Sequence, residues 1–486
     1  MDRKIAGRCY ERNGIYILPD DDLTSDDVLT LVRDNEGKFG YKENYDLYVG
    51  NHPFLLKPKD PTSFRPDNRL VSNWFNYVVD TYVGYFAGEP VKISFKDDNK
   101  AKNDALQSWL DANSVQDKLS EIAKQVAIYG RSYLVAYQTE EAETKTAVVN
   151  PTQGFMIYDA SINPKPLAFV RYTRLDSKLT GEVYGRNGIY LFDDDGINAE
   201  VICAAFDGVP AVEFYANEER LSIVGKIKTL VEAYNKTFSQ KANQVQYFDT
   251  AYLAILGIQL PKDDDGNDIL DLGANNVLYN PSTDSANGRV EFLSKPDGDN
   301  MQENMLNRLV NDIFQTAMVA NLNDEAFSGN SSGVAIRYKL LAMQNQASIE
   351  ERKFKQAIKE FLSVALSAGT TELGSISKDD VLRNIDSRFT RNIPVNLADE
   401  ASTAKTLEGV VSKETQLKAL TIVDDPKREI ERIANEKEEA IKQSLQNSAN
   451  AIDMLGGGTD DKSQERSLLE EETRSGRTLD NAEPKQ

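Results

Sequence analysis

Glu219-Arg-Leu-Ser-Ile-Val-Gly-Lys-Ile-Lys-Thr-Leu-Val-Glu-Ala-Tyr-Asn-Lys-Thr-Phe-Ser-Gln-Lys-Ala-Asn-Gln-Val-Gln-Tyr-Phe-Asp-Thr250 reads as one long helix. Ile223, Ile227, Leu230, Tyr234, Phe238, Val245 and Phe248 share one face at helical spacing. At roughly 1.5 Å per residue the rod is about 45–50 Å long. A second rod is predicted from Asp299 to about Asn321, with Met301, Met305, Leu309, Ile313 and Ala317 as its stripe and Leu306, Val310 and Phe314 widening it. Its other face carries Glu303, Asn304, Asn307, Arg308, Asn311 and Gln315. Between the rods, residues 251–298 read as short strands and loops with turns at Asp263–Gly266 and Lys295–Gly298. The pair can be two helices of an ordinary core, or neighbouring rods carrying a small domain at their far end. The asparagine-rich face favours the second arrangement, because such a face suits a wet, crowded surface that is polar without strong charge.

Working toward the N-terminus, the period changes to two. Strands are predicted at 132–138, 146–150, 154–158, 166–174, 180–185, 188–192, 200–206 and 211–215, an antiparallel β region with hairpin-type turns at Asp195-Gly196 and Asp207-Gly208. Ahead of it, one or two helices span 102–129, where Val115, Leu119, Ile122, Val126 and Tyr129 share a face. A buried helix is predicted over 67–87, capped by Asp67 or Asn68 and stopped by Gly88 and Pro90; its stripe is Val71, Phe75, Val78, Tyr82 and Phe86. A short strand, Val91–Phe95, follows. Residues 1–65 are mixed, with a short helix capped by Ser25 or Asp26 and running to about Arg33.

Working toward the C-terminus, a polar loop runs from Asn321 to Gly333, rich in Gly and Ser. A long helix follows from Val334 to about Leu366, then a lone strand at 387–397, then helices at about 399–420 and 426–449. In the last, Asp425 caps and Pro426 takes the first helical position. The tail from Gly456 is polar, charged and without aromatics, and is expected to be disordered. At 486 residues, two to four structural units are expected.

The chain carries 77 acidic and 56 basic residues, a formal charge of −21, which repels phosphate and argues against a protein that grips nucleic acid. It leaves room for one past which nucleic acid slides. No apolar run reaches the length of a membrane span, and MDRKIAGRCYERNG has no signal-peptide stretch, so a cytoplasmic setting is expected. Cys9 and Cys203 are far apart and unpaired in motif, which argues against a zinc site or disulfide framework. The single histidine, His52, precedes a proline and reads as a loop residue, so histidine-based catalysis loses its main component. There is no GxxxxGK[ST] phosphate loop. The densest acidic clusters, Asp193–Asp195 and Asp263–Asp265, lead into turn glycines without calcium-loop spacing and read as solvated turns. No catalytic residue, metal ligand or cofactor site is assigned.

Four stretches, in order, carry a resemblance. The first is Asn68-Arg-Leu-Val-Ser-Asn-Trp-Phe-Asn-Tyr-Val-Val-Asp with Gly84-Tyr-Phe-Ala-Gly-Glu-Pro-Val, and the second is Ala127-Ile-Tyr-Gly-Arg-Ser-Tyr. The third is Glu213-Phe-Tyr-Ala-Asn-Glu-Glu leading to Ala233-Tyr-Asn-Lys-Thr-Phe-Ser, and the fourth is Ser332-Gly-Val-Ala-Ile-Arg-Tyr-Lys-Leu. Asn392-Ile-Pro-Val-Asn and Ser412-Lys-Glu-Thr back them. Together, from about Tyr45 to about Ala449, the chain resembles the portal (head–tail connector) proteins of siphophage-type tailed bacteriophages.

The resemblance implies an α+β portal fold, with an α/β wing, long-helix stem, small β-rich clip and helical crown, in a closed ring. Residues 1–218 with 334–398 would be wing, 219–250 and 299–322 the stem helices, and 251–298 the clip. Residues 323–333 would be the tunnel loop, 399–449 the crown and 450–486 an acidic tail. It implies a non-enzymatic virion subunit, present in the host cytoplasm during assembly, that forms a ring of twelve and passes double-stranded DNA. Implied partners are the terminase large subunit, scaffold and major capsid protein, and a head-completion adaptor. Asn321, Asn323, Asp324, Glu325, Ser328 and Asn330 of the tunnel loop would face DNA, and Asn304, Asn307, Arg308, Asn311 and Gln315 would be the polar face of the stem. A non-catalytic cytoplasmic scaffold, or a hydrolase using a carboxylate pair and a metal, are the competing readings.

Overall fold

Three four-residue strands open the chain: β1 (Arg3–Ala6), β2 (Cys9–Arg12) and β3 (Ile15–Leu18). Their turns are tight. Asn13 and Gly14 both take positive φ, at 49° and 79°, the Asn-Gly geometry that closes a two-residue hairpin. Helix α1 (Ser25–Lys38) and helix α2 (Tyr41–Tyr48) follow, then a single 3-10 turn at Pro53–Leu56. The computed structural model describes all residues except 1, 21, 39, 59–65, 98, 204, 249–251, 259–276, 281–287, 294–298, 324–332, 369–377, 393–396, 421, 424–425 and 456–486.

Helix α3 (Trp74–Ala87) starts seven residues later than the sequence suggests. Asn73 caps it, its side chain accepting from the Asn76 amide. Residues 66–73 instead form no helix, and α6 supplies acceptors for the amides of Asn68, Leu70 and Ser72. Strand β4 (Lys92–Phe95), α4 (Lys100–Ala112) and α5 (Val115–Tyr129) come next, the last two separated at Asn113-Ser114, where Ser114 has φ 48°.

The period-two region forms eight strands: β5 (Arg131–Gln138), β6 (Thr144–Val149), β7 (Gly154–Asp159), β8 (Pro166–Leu175), β9 (Lys178–Gly185), β10 (Gly188–Asp193), β11 (Gly196–Cys203) and β12 (Ala211–Tyr215). They divide between two sheets. One has the order β1-β2-β3-β7-β8-β9-β10-β11 and is antiparallel except at β3–β7; the other is β12-β5-β6. Asp195-Gly196 does close the β10–β11 hairpin, but Asp207-Gly208 does not, because β11 and β12 belong to different sheets.

The eight-stranded sheet curls around α1. Both of its edge strands touch that helix: Arg3 of β1 bonds Asp34, and the Ile197 amide of β11 donates to Ser25 Oγ. Leu31, Val32, Phe155, Ile157 and Val170 fill the space inside the curl. Its other face meets the three-stranded sheet through Tyr133, Val135, Met156 and Phe169. The far side of that small sheet, at Leu134, Ala136 and Phe214, joins the main core with α3, α5 and the helices below.

Helix α6 (Ile223–Phe248) leads to β13 (Tyr252–Leu256), β14 (Val277–Asn280) and β15 (Arg289–Leu293), which form a small sheet in the order β14-β13-β15. Helix α7 (Asp299–Ala317) returns and packs along α6. It ends at Met318, whose φ of 57° turns the chain out of the helix. The expected helix from Val334 is two, α8 (Gly333–Lys339) and α9 (Leu341–Ala365). Helix α10 (Lys378–Asn384) precedes β16 (Ile385–Arg388), which is not the lone strand expected but pairs antiparallel with β4.

The chain divides into two units, residues 1–393 and 394–486. In the second, the stretch expected as one helix at 399–420 is α11 (Leu397–Thr406) and α12 (Lys413–Leu417), tied by Gln416 Nε2 donating to the Ala404 carbonyl at 2.8 Å. Helix α13 (Pro426–Leu455) follows. The tail expected to be disordered lies outside the described residues.

Candidate functional site

The face of α7 opposite its core contacts is polar as expected. Asn304, Asn307, Arg308, Asn311 and Gln315 are all exposed, while Leu306, Leu309, Ile313, Phe314 and Ala317 are buried. The stripe is shorter than the sequence suggests: Met301 and Met305, at the end next to β15, are exposed. Arg308 Nε bonds Asp312 Oδ2 at 2.9 Å one turn on, so its charge is held against the helix. From Pro296 to Ile336 Arg308 is the only basic residue, against six carboxylates.

Of the candidate loop residues, Asn321 and Asn323 are described; Asp324, Glu325, Ser328 and Asn330 lie outside the described residues. The Asn323 amide donates to Asn321 Oδ1 at 3.2 Å, and Asn323 Nδ2 donates to the Tyr77 hydroxyl at 3.2 Å. These bonds seat the start of the loop on α3. Below them Trp74, Tyr77, Tyr234 and Phe314 form an edge-to-face cluster with centroids 5.6–6.0 Å apart, joining α3, α6 and α7. Further along, Lys241 pairs with Glu303 at 2.5 Å and Gln302 Nε2 donates to Gln244 Oε1 at 2.9 Å, holding α7 on α6.

Two buried polar assemblies were not legible as sites. The first joins two of the quoted motifs. Gly130, with φ 87°, turns α5 into β5, and a Cβ there would stand 1.9 Å from the Arg220 carbonyl oxygen, so only glycine fits. The next residue, Arg131, is buried and meets Glu213 Oε1 at 3.2 Å. Arg220 Nη2 reaches Glu213 Oε2 at 3.1 Å, and the Tyr158 hydroxyl donates to the same oxygen at 2.8 Å. Arg131 Nη2 also donates to the Gly14 carbonyl at 2.7 Å, tying in the β2–β3 turn. Burial pushes the Glu213 carboxyl up, but Arg220 and Arg131 outweigh it and hold it below the usual glutamate value.

The second is Glu350 of α9. Tyr82 of α3 donates to its Oε2 at 2.8 Å, and Oε1 has no hydrogen-bond partner. It borders a cavity of about 110 Å³ shared with Lys226 and Gln346; Lys226 Nζ donates to Gln346 Oε1 at 3.2 Å. Burial pushes the Glu350 carboxyl up to about 7, with Tyr82, Lys226 and Arg391 pulling the other way.

His52 lies in the loop that leads into the 3-10 turn, as expected, and is buried there. Its ring packs 5.6 Å from that of Phe75, neither nitrogen is hydrogen-bonded, and burial lowers its pKa. Cys9 is buried beside Asp27, and burial raises its thiol to about 12. The Asp193–Asp195 cluster is a turn: Asp193 accepts from the Asp195 amide and Asp194 from the Leu179 amide. Asp263–Asp265 lies outside the described residues. Among the described residues, no group of three His, Cys, Asp or Glu could hold a metal, and no helix is long and apolar enough to cross a membrane.

A mixed α+β architecture whose distinctive surface is a long polar helix face, mounted on a paired helix and flanked by a polar loop, defines a structural class. The comparisons supply the family. A model described as phage portal protein, SPP1 Gp6-like, matches residues 33–443, more than four-fifths of the chain. The portal protein of Bacillus phage SPP1 is 22% identical over 423 residues, covering 82% of this chain and 80% of that one. The portal protein of Clostridium phage phiCD119 is 22% identical over 414 residues, covering 79% and 88%. The chain belongs to the phage portal protein family, whose members form the portal of the bacteriophage capsid.

Proposed function

We propose that this chain is the subunit of a closed portal ring, twelve copies in the virion, through which double-stranded DNA is packaged and ejected. On this reading residues 1–218 with 334–398 form the wing, α6 and α7 the stem, β13–β15 the clip and 323–333 the tunnel loop. Residues 399–449 form the crown. The charge pattern of α7 and its loop carries the proposal. One arginine, already bonded to Asp312, and six carboxylates over Pro296–Ile336 leave phosphates nothing to bind, so DNA slides past Asn304, Asn307, Asn311 and Gln315. The Asn321 and Asn323 side chains offer only neutral contacts, as do Ser328 and Asn330, while Asp324 and Glu325 are among the carboxylates that repel phosphate. The subunit itself supplies no catalysis; the terminase large subunit, docking at the clip, hydrolyses ATP. Scaffold and major capsid protein meet the wing during assembly in the host cytoplasm, where the ring nucleates the capsid, and a head-completion adaptor follows at the clip. A ring implies heterologous interfaces that close on themselves.

Native mass measurement with negative-stain imaging tests this. Twelve 54.2 kDa subunits give about 650 kDa and a particle with an axial hole. A chain that stays monomeric or dimeric, even with scaffold and capsid protein added, overturns the ring.

A further inference from the structure

Residues 68–72 run antiparallel to α6 and bond to it through alternate amides. The Asn68 amide donates to Asn243 Oδ1 at 2.6 Å, the Leu70 amide to Ser239 Oγ at 3.0 Å, and the Ser72 amide to Asn235 Oδ1 at 2.8 Å. Asn68 Nδ2 extends the row to Gln246 Oε1 at 2.7 Å. Ser239 directs its own proton to the Asn235 carbonyl at 2.7 Å, which leaves its oxygen to accept.

The spacing explains the pattern. Acceptors four residues apart on a helix rise about 6.0 Å per step. Alternate amides of an extended chain rise about 6.6 Å. The two repeats stay in register over three rungs, and residues 235, 239 and 243 lie on one face as the pairing demands. These rungs join the first and third of the family-like motifs, which are otherwise far apart in sequence.

The row is bounded. One turn toward the start of α6 stands Val231, buried and without a side-chain acceptor. Sliding the segment by two residues that way would strand an amide. Sliding it the other way would strand Asn235, which is fully buried. The near half of α6 is held by apolar burial of Ile223, Val224, Ile227 and Val231; beyond them the buried positions among the described side chains are Asn235 and Ser239. Apolar contact is non-directional, whereas the rungs fix both rotation and register.

We propose that residues 68–72 are a clamp that sets the axial register and rotation of the far half of α6 and passes its position to α3 through the Asn73 cap. Asn235, Ser239 and Asn243 are its positioning residues. The clamp is independent of ring formation and DNA passage, so it can stand or fall apart from the proposed function.

Hydrogen exchange on the full chain, read by mass spectrometry, tests it with three variants. Ser239→Ala removes the central acceptor, Ser239→Cys keeps the volume with a weak acceptor, and Ser239→Thr keeps the hydroxyl. In both Ser239→Ala and Ser239→Cys, peptides over 66–73 and 234–248 should exchange about tenfold faster together. In Ser239→Thr they should match the wild type, and peptides of α5 and β5 should be unchanged in all three. Wild-type-like protection in Ser239→Cys would assign the contact to packing and overturn the clamp. So would faster exchange in 66–73 with 234–248 unmoved.

Discussion

Glu350 is a carboxyl whose surroundings favour its neutral form. It is fully buried, one oxygen accepts from Tyr82, and the other has no partner. The unfolded chain releases this proton near pH 4.5, the folded protein near 7. Between those values the folded state holds a proton that the unfolded state has lost, so the group's contribution is complete below 4.5 and vanishes as pH rises through 7. A shift of that size corresponds to a stability change on the order of 3 kcal/mol. Glu350→Gln keeps the acceptor for Tyr82 and removes the charge. Its melting temperature should equal the wild type's at pH 4 and exceed it at pH 8. Parallel melting curves for the two proteins across that range would show that the site stays solvated. Glu213 is the opposite case, a charge that its neighbours require. Glu213→Ala leaves Arg131 and Arg220 buried against each other and should cost about 3–5 kcal/mol, read as a large fall in melting temperature at pH 7. Neither residue stood out in the sequence. Arg131 and Glu213 were visible in two quoted motifs, but 82 positions separate them, and only the pairing of β12 with β5, Tyr133 against Glu213, brings those strands together. Gly130 directly follows the helix expected to end at 129; that it also admits the Arg220 carbonyl was not legible.

At the scale of elements, what was read well had room for its period to repeat. The strands from Arg131 to Tyr215 and the α6–α7 pair came out within a few residues. Strands β1–β3 were missed because four residues cannot display alternation, although Asn13-Gly14 is the dipeptide that marks such a hairpin. The start of α3 was read too early because Asp67 and Asn68 are good caps locally, while the amides of Asn68, Leu70 and Ser72 find better acceptors on α6. Partners that distant leave no local signal. The polar face of α7 was legible because every third or fourth residue is Asn, Gln or Arg. If that face meets phosphate only in passing, placing Lys at Asn307, Asn311 and Gln315 should convert sliding into retention. The assembled variant should hold linear double-stranded DNA at salt concentrations that strip it from the wild type. Its log K against log salt should steepen by roughly 0.9 for each phosphate that an introduced lysine neutralises. An unchanged slope would place this face away from the DNA.

For the whole molecule, the two units differ in how they are held. Residues 1–393 contain a continuous apolar core from Tyr41 to Ile385, spanning α2, α3, α5, α6, α9 and β16. Tertiary ties close it end to end: β16 pairs with β4, and Lys102 bonds Asp380 at 2.7 Å. Residues 394–486 show little of this. Ala404 and Pro426 are the buried positions among its described side chains, and Ile441 and Leu445 on α13 are exposed at 59% and 47%. The described residues of the main core all lie within 1–393, so a chain ended after Ile393 keeps them all. It should fold, with a circular dichroism melt within a few degrees of the full chain, because no buried apolar group of that core comes from the removed part. Residues 394–486 alone should melt without a cooperative transition, since exposed helices of this kind gain stability chiefly from what packs against them. A cooperative melt of the isolated second unit would mean that it holds a core of its own, and collapse of the first without it would mean that the first depends on the second for its stability.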